Sequence, residues 1–250
     1  MRVSYQPPPD PYQSAPPPYS APVGQYSADG RWYWDGRQWN PVTIPGPPWA
    51  RPYAPPEGRA AAAVALIALA CAGAVLFVPG ELLDLLAALF TGPGSAVEVA
   101  GAVIVLLGEI VFVAGLVGGA ISVPMWMHRA FRNLPALGEQ GMRWSPAWAA
   151  GAWFIPFANF VIPYQCLRAL WSSFGDERPL VQQYWAAWIG AYVLQILSNQ
   201  LMRFSRPAGD IFGILNDVAT IAAGLLLITM IRRVTRRERD RHSQRQVQGY

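Results

Sequence analysis

The chain has 250 residues, 53% of them hydrophobic and only 14% charged, with 24 prolines and a formal net charge of +4. A positive mean hydropathy of +0.21, with the prolines crowded before residue 58 and the aliphatics after it, excludes one water-soluble globule and points to a membrane protein with a polar tail. The basic residues are all arginine and flank apolar segments, which indicates anionic lipid headgroups rather than nucleic acid, while Cys71 and Cys166 both lie inside apolar segments and so exclude a disulfide framework.

Residues 1–58 read as a cytoplasmic tail. Its first 24 residues, rich in Pro and Tyr and without an aliphatic run, favour extended polyproline II and disorder. No basic and apolar leader precedes residue 60, so the first apolar segment is expected to stay in place as a span. Within the tail, residues 30–41 read as a β-hairpin: Asp35-Gly36 predicts a two-residue type I′ turn, which sets Trp34 opposite Arg37, Tyr33 opposite Gln38 and Trp32 opposite Trp39. Alternation then gathers Trp32, Trp34, Arg37 and Trp39 on one face, a candidate docking face for a protein partner or for the nearby Pro16-Pro17-Pro18-Tyr19. The run Gly30-Arg-Trp-Tyr-Trp-Asp-Gly-Arg-Gln-Trp39 resembles the small tryptophan hairpin at the N-termini of actinobacterial membrane proteins.

Residues 59–231 read as a multi-pass membrane domain. Four segments approach or exceed the roughly 20 residues that cross a bilayer as a helix: Ala60 to Val78, Val99 to Val123, Tyr184 to Met202 and Ile211 to Ile231. Leu82 to Phe90, between Gly80 and Gly92, is too short and reads as an interfacial helix. Pro146 to Tyr164 holds Pro156 and Pro163, and proline removes a backbone donor and crowds the preceding turn, so a straight crossing is not expected there. Residues 232–250 form an arginine-rich tail.

Charge sets the expected topology. The loop from Gly80 to Glu98 carries three acids and no arginine, whereas the N-terminal tail, the joint from His128 to Arg143 and the C-terminal tail carry arginines and belong inside. Both termini are then cytoplasmic, in a bacterial cell membrane. The fold class is all-α: four spans plus a Pro-kinked re-entrant or interfacial segment at 146–164. The alternative is five spans, which would place the C-terminal arginines outside.

Three motifs stand in order between the second and third spans. They are Arg132-Asn133-Leu134, then Ser145-Pro146-Ala-Trp148, then Trp153-Phe-Ile-Pro156-Phe-Ala-Asn159-Phe-Val-Ile-Pro163. Over roughly residues 60 to 240 the chain resembles the bacterial membrane family filed as domain of unknown function 4328. The resemblance implies an integral membrane domain and carries no catalytic residue, substrate or cofactor with it.

Candidate polar sites inside the apolar segments are Glu109, near the middle of the second span, with Gln195 and Asn199 on the third and Asp217 on the last. Tyr192 extends the stripe of Gln195 and Asn199, and Asp210, Thr220 and Gly224 lie near the side of Asp217. Asn159 is expected to satisfy backbone groups freed by its flanking prolines. Gly115 and Gly119, continued by Ser122, form a GxxxG packing seam. The tryptophans from Trp126 to Trp188 read as an interfacial belt.

No P-loop, HExxH, G-x-S-x-G or CxxC pattern is present, and no His/Cys/carboxylate cluster has ligand spacing. A non-enzymatic anchor or interaction platform without cofactor or metal is therefore expected. Its alternative is a solute or ion pathway through Glu109, Gln195, Asn199 and Asp217, and a lipid-modifying enzyme would have only His128 and Glu139 to draw on. The expected partners are anionic headgroups near the C-terminal arginines and a protein bound by the N-terminal tail.

Overall fold

The computed structural model describes residues 32–41, 51–174 and 179–248. The Pro-rich residues 1–24, with the expected docking segment Pro16–Tyr19, lie outside the described residues. The chain divides into two compact units, Met1–Pro48 and Trp49–Tyr250.

In the first unit, β1 (Trp32–Trp34) and β2 (Trp39–Pro41) pair antiparallel with Trp34 opposite Trp39, Tyr33 opposite Asn40 and Trp32 opposite Pro41. The expected two-residue turn is replaced by a four-residue connection, Asp35 to Gln38. The cause is the Asp35 carboxylate: Oδ1 accepts the N–H groups of Arg37 (2.7 Å) and Gln38 (2.8 Å), Oδ2 accepts Asn40 Nδ2 (2.7 Å), and Gly36 takes φ +92°. A slip of two residues preserves the side of every strand residue. Trp32, Trp34 and Trp39 therefore still share a face, with the Trp34 and Trp39 rings 5.5 Å apart, but Arg37 moves into the connection and leaves that face.

These hydrogen bonds hold the Asp35 carboxyl below its ordinary value, those from Gln38 and Arg37 most. A depressed folded pKa gives stability that is present above the unfolded value, about 3.9, and lost as pH falls through the folded one. A peptide of residues 25–43 should thus show Trp34–Trp39 ring contacts at pH 6 that weaken as pH falls below the unfolded value and through the depressed folded one, whereas Asp35→Ala should lack them throughout. Contacts that persist in Asp35→Ala would show that the side chain does not set the turn.

The second unit is built on helices. Among the described residues three are long and apolar enough to cross a membrane, Glu57–Thr91, Ala96–Asn133 and Arg206–Val247. The first comprises α1 (Glu57–Leu86) and a π-helical turn, Ala87–Thr91; the others belong to α2 (Ala96–Asn133) and α6 (Arg206–Gln248), and α5 (Leu180–Leu201) follows the short α3 (Pro146–Gly151) and α4 (Ile162–Ser172). Ser95 caps α2 by accepting the Glu98 N–H, while the Glu98 carboxylate reaches back to the Gly94 N–H. The interfacial helix expected at Leu82 to Phe90 is instead the end of α1. Pro79 lies within α1 without ending it, and Gly80, beside it, lets α1 lie directly on α2.

That contact is a glycine seam. Gly73 and Gly80 of α1 face Gly108 and Gly101 of α2, with Gly115 opposite Leu66 and Ala70. A β-carbon at Gly101 would sit 2.9 Å from the Gly80 carbonyl oxygen, one at Gly108 3.0 Å from that of Gly73, and one at Gly115 2.8 Å from that of Leu66. Seven-residue spacing on both helices keeps these positions on one line as the antiparallel pair winds. The expected GxxxG pair divides: Gly115 lies in the seam, while Gly119 has open space where a β-carbon would go.

α1 packs against both α2 and α6, and α5 packs against α6, so the helices stand in the order α2, α1, α6, α5. It is an open row. At one end the Arg206–Glu98 ion pair, 2.6 Å, joins the starts of α6 and α2. At the other Arg59, at the start of α1, donates to the Met125 carbonyl of α2 (3.2 Å), and Trp126 Nε1 donates to Thr235 Oγ1 of α6 (3.1 Å). The core lies at this second end, where Trp126, Met127 and Phe131 meet Leu167, Leu170, Met230 and Ile231.

Residues 146–164 form no continuous helix. α3 gives way to a 3-10 turn at Ala152–Phe154 and another at Ala158–Phe160 before α4 begins, and Phe157, 85% exposed, holds a positive φ of 64°. The segment buries Ala149 and Ala152 and leaves Phe154, Ile155, Phe157 and Val161 exposed.

Candidate functional site

Polar side chains that are almost wholly buried fall into two groups. The first joins the core end of the helices. Asn133, 0% exposed at the C-terminus of α2, accepts the Ala54 N–H on Oδ1 (3.1 Å) and donates Nδ2 both to the Ala54 carbonyl (2.9 Å) and to Glu238 Oε2 of α6 (3.2 Å). An amide presents a donor and an acceptor together and so matches the N–H and the C=O of one residue, which neither an acid nor an aliphatic residue could do. The asparagine of the Arg-Asn-Leu motif is thus a three-way tie between the segment before α1, the end of α2 and the last helix.

Glu238, also 0% exposed, keeps Oε1 without a hydrogen-bond partner. It lies seven residues beyond the apolar stretch that ends at Ile231, outside the membrane-crossing part of α6. Burial pushes its carboxyl up to about 8, against the opposing pull of the Asn133 hydrogen bond. Tyr53 stacks on His242 with rings 3.9 Å apart; burial, with the charges of Glu238 and Glu57, pushes its hydroxyl up to about 12. Arg241 completes the tie by pairing with Glu139 at 2.6 Å and donating to the Ser173 carbonyl at 2.7 Å. The expected C-terminal tail is therefore a continuation of α6, packed into the structure.

The second group lies where α1 meets α6, toward the opposite end. Asp210 and Asp217 are buried and each keeps one carboxylate oxygen unpartnered, as do Glu81 and Asp84 of α1. The Glu81 carboxylate lies over Gly213, where a β-carbon would come within 2.7 Å of Oε1. From α6, Asn216 donates to Gln195 of α5 (2.9 Å), which donates in turn to Asn199 (3.2 Å). The row thus gathers Gln195, Asn199 and Asp217 in one neighbourhood and adds Glu81, Asp84 and Asn216, which sequence reasoning had not marked.

Glu109 is not among them. It is exposed on α2, at the edge of the row, with α1 and α6 between it and α5. Among the described residues no group of His, Cys, Asp and Glu is placed to hold a metal ion.

The remaining motif residues are structural neighbours. Arg132 is half-buried one position before Asn133, with Nε unpartnered. Pro163 is buried at the start of α4, Pro156 is exposed, and Trp153 is half-buried with Nε1 unpartnered. The expected role of Asn159 does not hold: its Oδ1 is buried without a partner, and the Asn159 N–H bonds to Ile155 through the backbone alone. Ser145 caps α3 by accepting the Trp148 N–H, with Pro146 in the first turn.

The family model described as Domain of unknown function (DUF4328) matches residues 93–236, from the turn before α2 to the start of the buried tie on α6. No curated protein and no solved structure matches the chain.

Proposed function

Because this chain belongs to the family described as Domain of unknown function (DUF4328), whose description carries no activity, we propose its function from geometry: a non-enzymatic membrane anchor that holds a folded cap and the root of its N-terminal tail at the cytoplasmic surface. The observation that carries this reading is the Asn133 tie. It spends a motif residue on fixing backbone at Ala54 and a buried acid on α6, which is the work of a scaffold. The half-buried Trp32, Trp34 and Trp39 face is the proposed docking surface for a protein partner.

In this reading α5 is a fourth crossing, since it runs beside α6 and joins it through the short turn at Met202–Ser205. The arginine-bearing cap end faces the cytoplasm of a bacterial cell, both termini with it, and residues 146–164 lie in the inner interface with Phe154, Ile155 and Phe157 toward lipid. The rival is a proton or solute pathway. It is favoured by the unpartnered oxygens of Glu81, Asp210 and Asp217, but an open row of helices encloses no channel within one copy.

Proteoliposomes separate the two readings. The anchor predicts no proton flux above empty vesicles and no difference in Glu109→Gln or Asp217→Asn, while protease added to inward-facing vesicles spares both tails together. Flux that Asp217→Asn abolishes would overturn the anchor in favour of the pathway.

A further inference from the structure

The two edge helices of the row, α2 and α5, each carry a line of residues that is covered near the core and bare toward the Arg206 end. On α2 the positions one residue past the glycine seam are Ala102, Glu109, Leu116, Val123 and Ala130; the last two are buried in the core and the first three are exposed. On α5, Ala191 and Ser198 are buried, and Ser198 Oγ donates to the Gly209 carbonyl (3.0 Å), so this line faces α6. One residue past it stand Trp185, packed on the core, then Tyr192 and Asn199, both exposed. The two helices run in opposite directions, so the same offset from each seam turns both lines to one side of the row. Near the core that side is filled by α3, which contacts α2, and by α4, which contacts α5. In the other half it is bare.

The bare half is not wholly apolar. Glu109 has no hydrogen-bond or ionic partner among the described residues. The Arg206–Glu98 pair sets the starts of α6 and α2 at one level. From Glu98 to Glu109 along α2 is about 16 Å, and from Arg206 to Asn216 along α6 about 15 Å, at 1.5 Å per residue. Asn216 passes its depth to α5 through its bond to Gln195 (2.9 Å). Both edges therefore carry polar groups at half the roughly 30 Å hydrocarbon thickness. Tyr192, 56% exposed, presents a hydroxyl, and Gln195 gives one amide hydrogen to Asn199 (3.2 Å) and keeps the other. One edge thus holds an acceptor and the other holds donors. An intramembrane acid turned to lipid is expensive, and such groups almost always meet a protein partner.

We propose that a second copy of this chain covers that side, with Glu109 of each copy accepting hydrogen bonds from Tyr192 and Gln195 of the other. A two-fold axis along the membrane normal changes no depth and exchanges the edges of the row, so α2 of one copy meets α5 of the other twice. Such an isologous contact needs complementary groups at equal depth on the two edges of one chain, on the same side, and these are the groups that Glu109, Tyr192 and Gln195 supply. Lipid tails offer no donor to the acid. The inference rests on the reading of α5 as a crossing, and on neither the anchor nor the pathway.

The test reconstitutes full-length protein at falling protein-to-lipid ratios and counts copies by single-molecule photobleaching. Wild type should pass from dimer to monomer as it is diluted. Glu109→Leu should lower the association constant about tenfold, the loss of one interhelical hydrogen bond at each of two symmetric places, while Glu109→Gln, which keeps an acceptor, should match wild type. Exposed Leu106 and Ile196 flank Glu109 and Gln195 near the same depth. Oxidation of Leu106→Cys copies mixed with Ile196→Cys copies should therefore give a cross-linked dimer that neither gives alone, with wild type as the blank because Cys71 and Cys166 are buried. A wild type that is monomeric at every ratio would overturn the second copy and leave the acid to a different membrane protein. Cross-linking of Leu106→Cys alone would overturn the pairing of α2 with α5, and an unchanged constant in Glu109→Leu would overturn the part given to the acid. Reaction of Ile196→Cys with a membrane-impermeant thiol reagent would mark the separate failure of α5 as a crossing.

Discussion

Gly115→Leu should destabilise the protein strongly in detergent, while Gly119→Leu, one helical turn away, should not. A side chain at Gly115 would meet the backbone of Ala70 and the Leu66 carbonyl, none of which moves without separating α1 from α2, whereas Gly119 faces open space. Overpacking costs roughly 1–3 kcal/mol even where side chains can yield, and here backbone is the obstacle. Fluorescence-detected size exclusion after heating should show a midpoint roughly 6–12 °C lower for Gly115→Leu, with Gly119→Leu at or above wild type because leucine favours helix over glycine. Equal midpoints would mean that the seam does not hold α1 to α2.

Removing the Asn133 amide should be the second severe change. Asn133→Ala leaves the Ala54 peptide and Glu238 Oε2 buried without their partner, and each buried polar group so stranded costs about 1–3 kcal/mol. Glu238 gives the complementary result, and its sign is opposite. Its folded pKa of about 8 lies above the unfolded carboxyl value, so the folded state holds its proton longer than the unfolded one, and the stabilisation present below about pH 4.3 is lost as pH rises through 8. Glu238→Gln, which keeps an acceptor for Asn133 and carries no charge, should raise the midpoint at pH 8 and change little at pH 5. A midpoint lower than wild type at pH 8 would mean that the ionised carboxylate, not the neutral acid, is the stabilising form.

Long apolar runs were legible because lipid acts on each helix separately: Ala60 to Val78 and Val99 to Val123 need only hydropathy to be found. Their ends were not. α2 continues past Pro124 to Asn133, and α6 past Ile231 to Gln248, because packing of Trp126, Met127 and Met230 in the cap carries helix into polar sequence. Glu81 and Asp84 were read as loop acids for the same reason: Gly80 looked like a stop until Gly101 appeared opposite it. The glycine spacing of seven at 101, 108 and 115 was present in the sequence, hidden by the shorter GxxxG reading. Asn133 could be flagged by its motif, but its partners are 79 and 105 residues distant, and no local pattern joins them.

α6 runs 43 residues, about 65 Å at 1.5 Å per residue, roughly twice the hydrocarbon thickness. Its only proline, Pro207, sits in the first turn, where no intrahelical hydrogen bond is lost, and the helix runs unbroken from Arg206 to Gln248. The helix is a shaft without a universal joint. Arg206 is bolted to Glu98 at one end, and Thr235 and Glu238 to Trp126 and Asn133 at the other. A few degrees of roll imposed at the Arg206 end would therefore reappear as the same roll beneath Tyr53 and His242, turning the segment that precedes α1 as a key turns a lock.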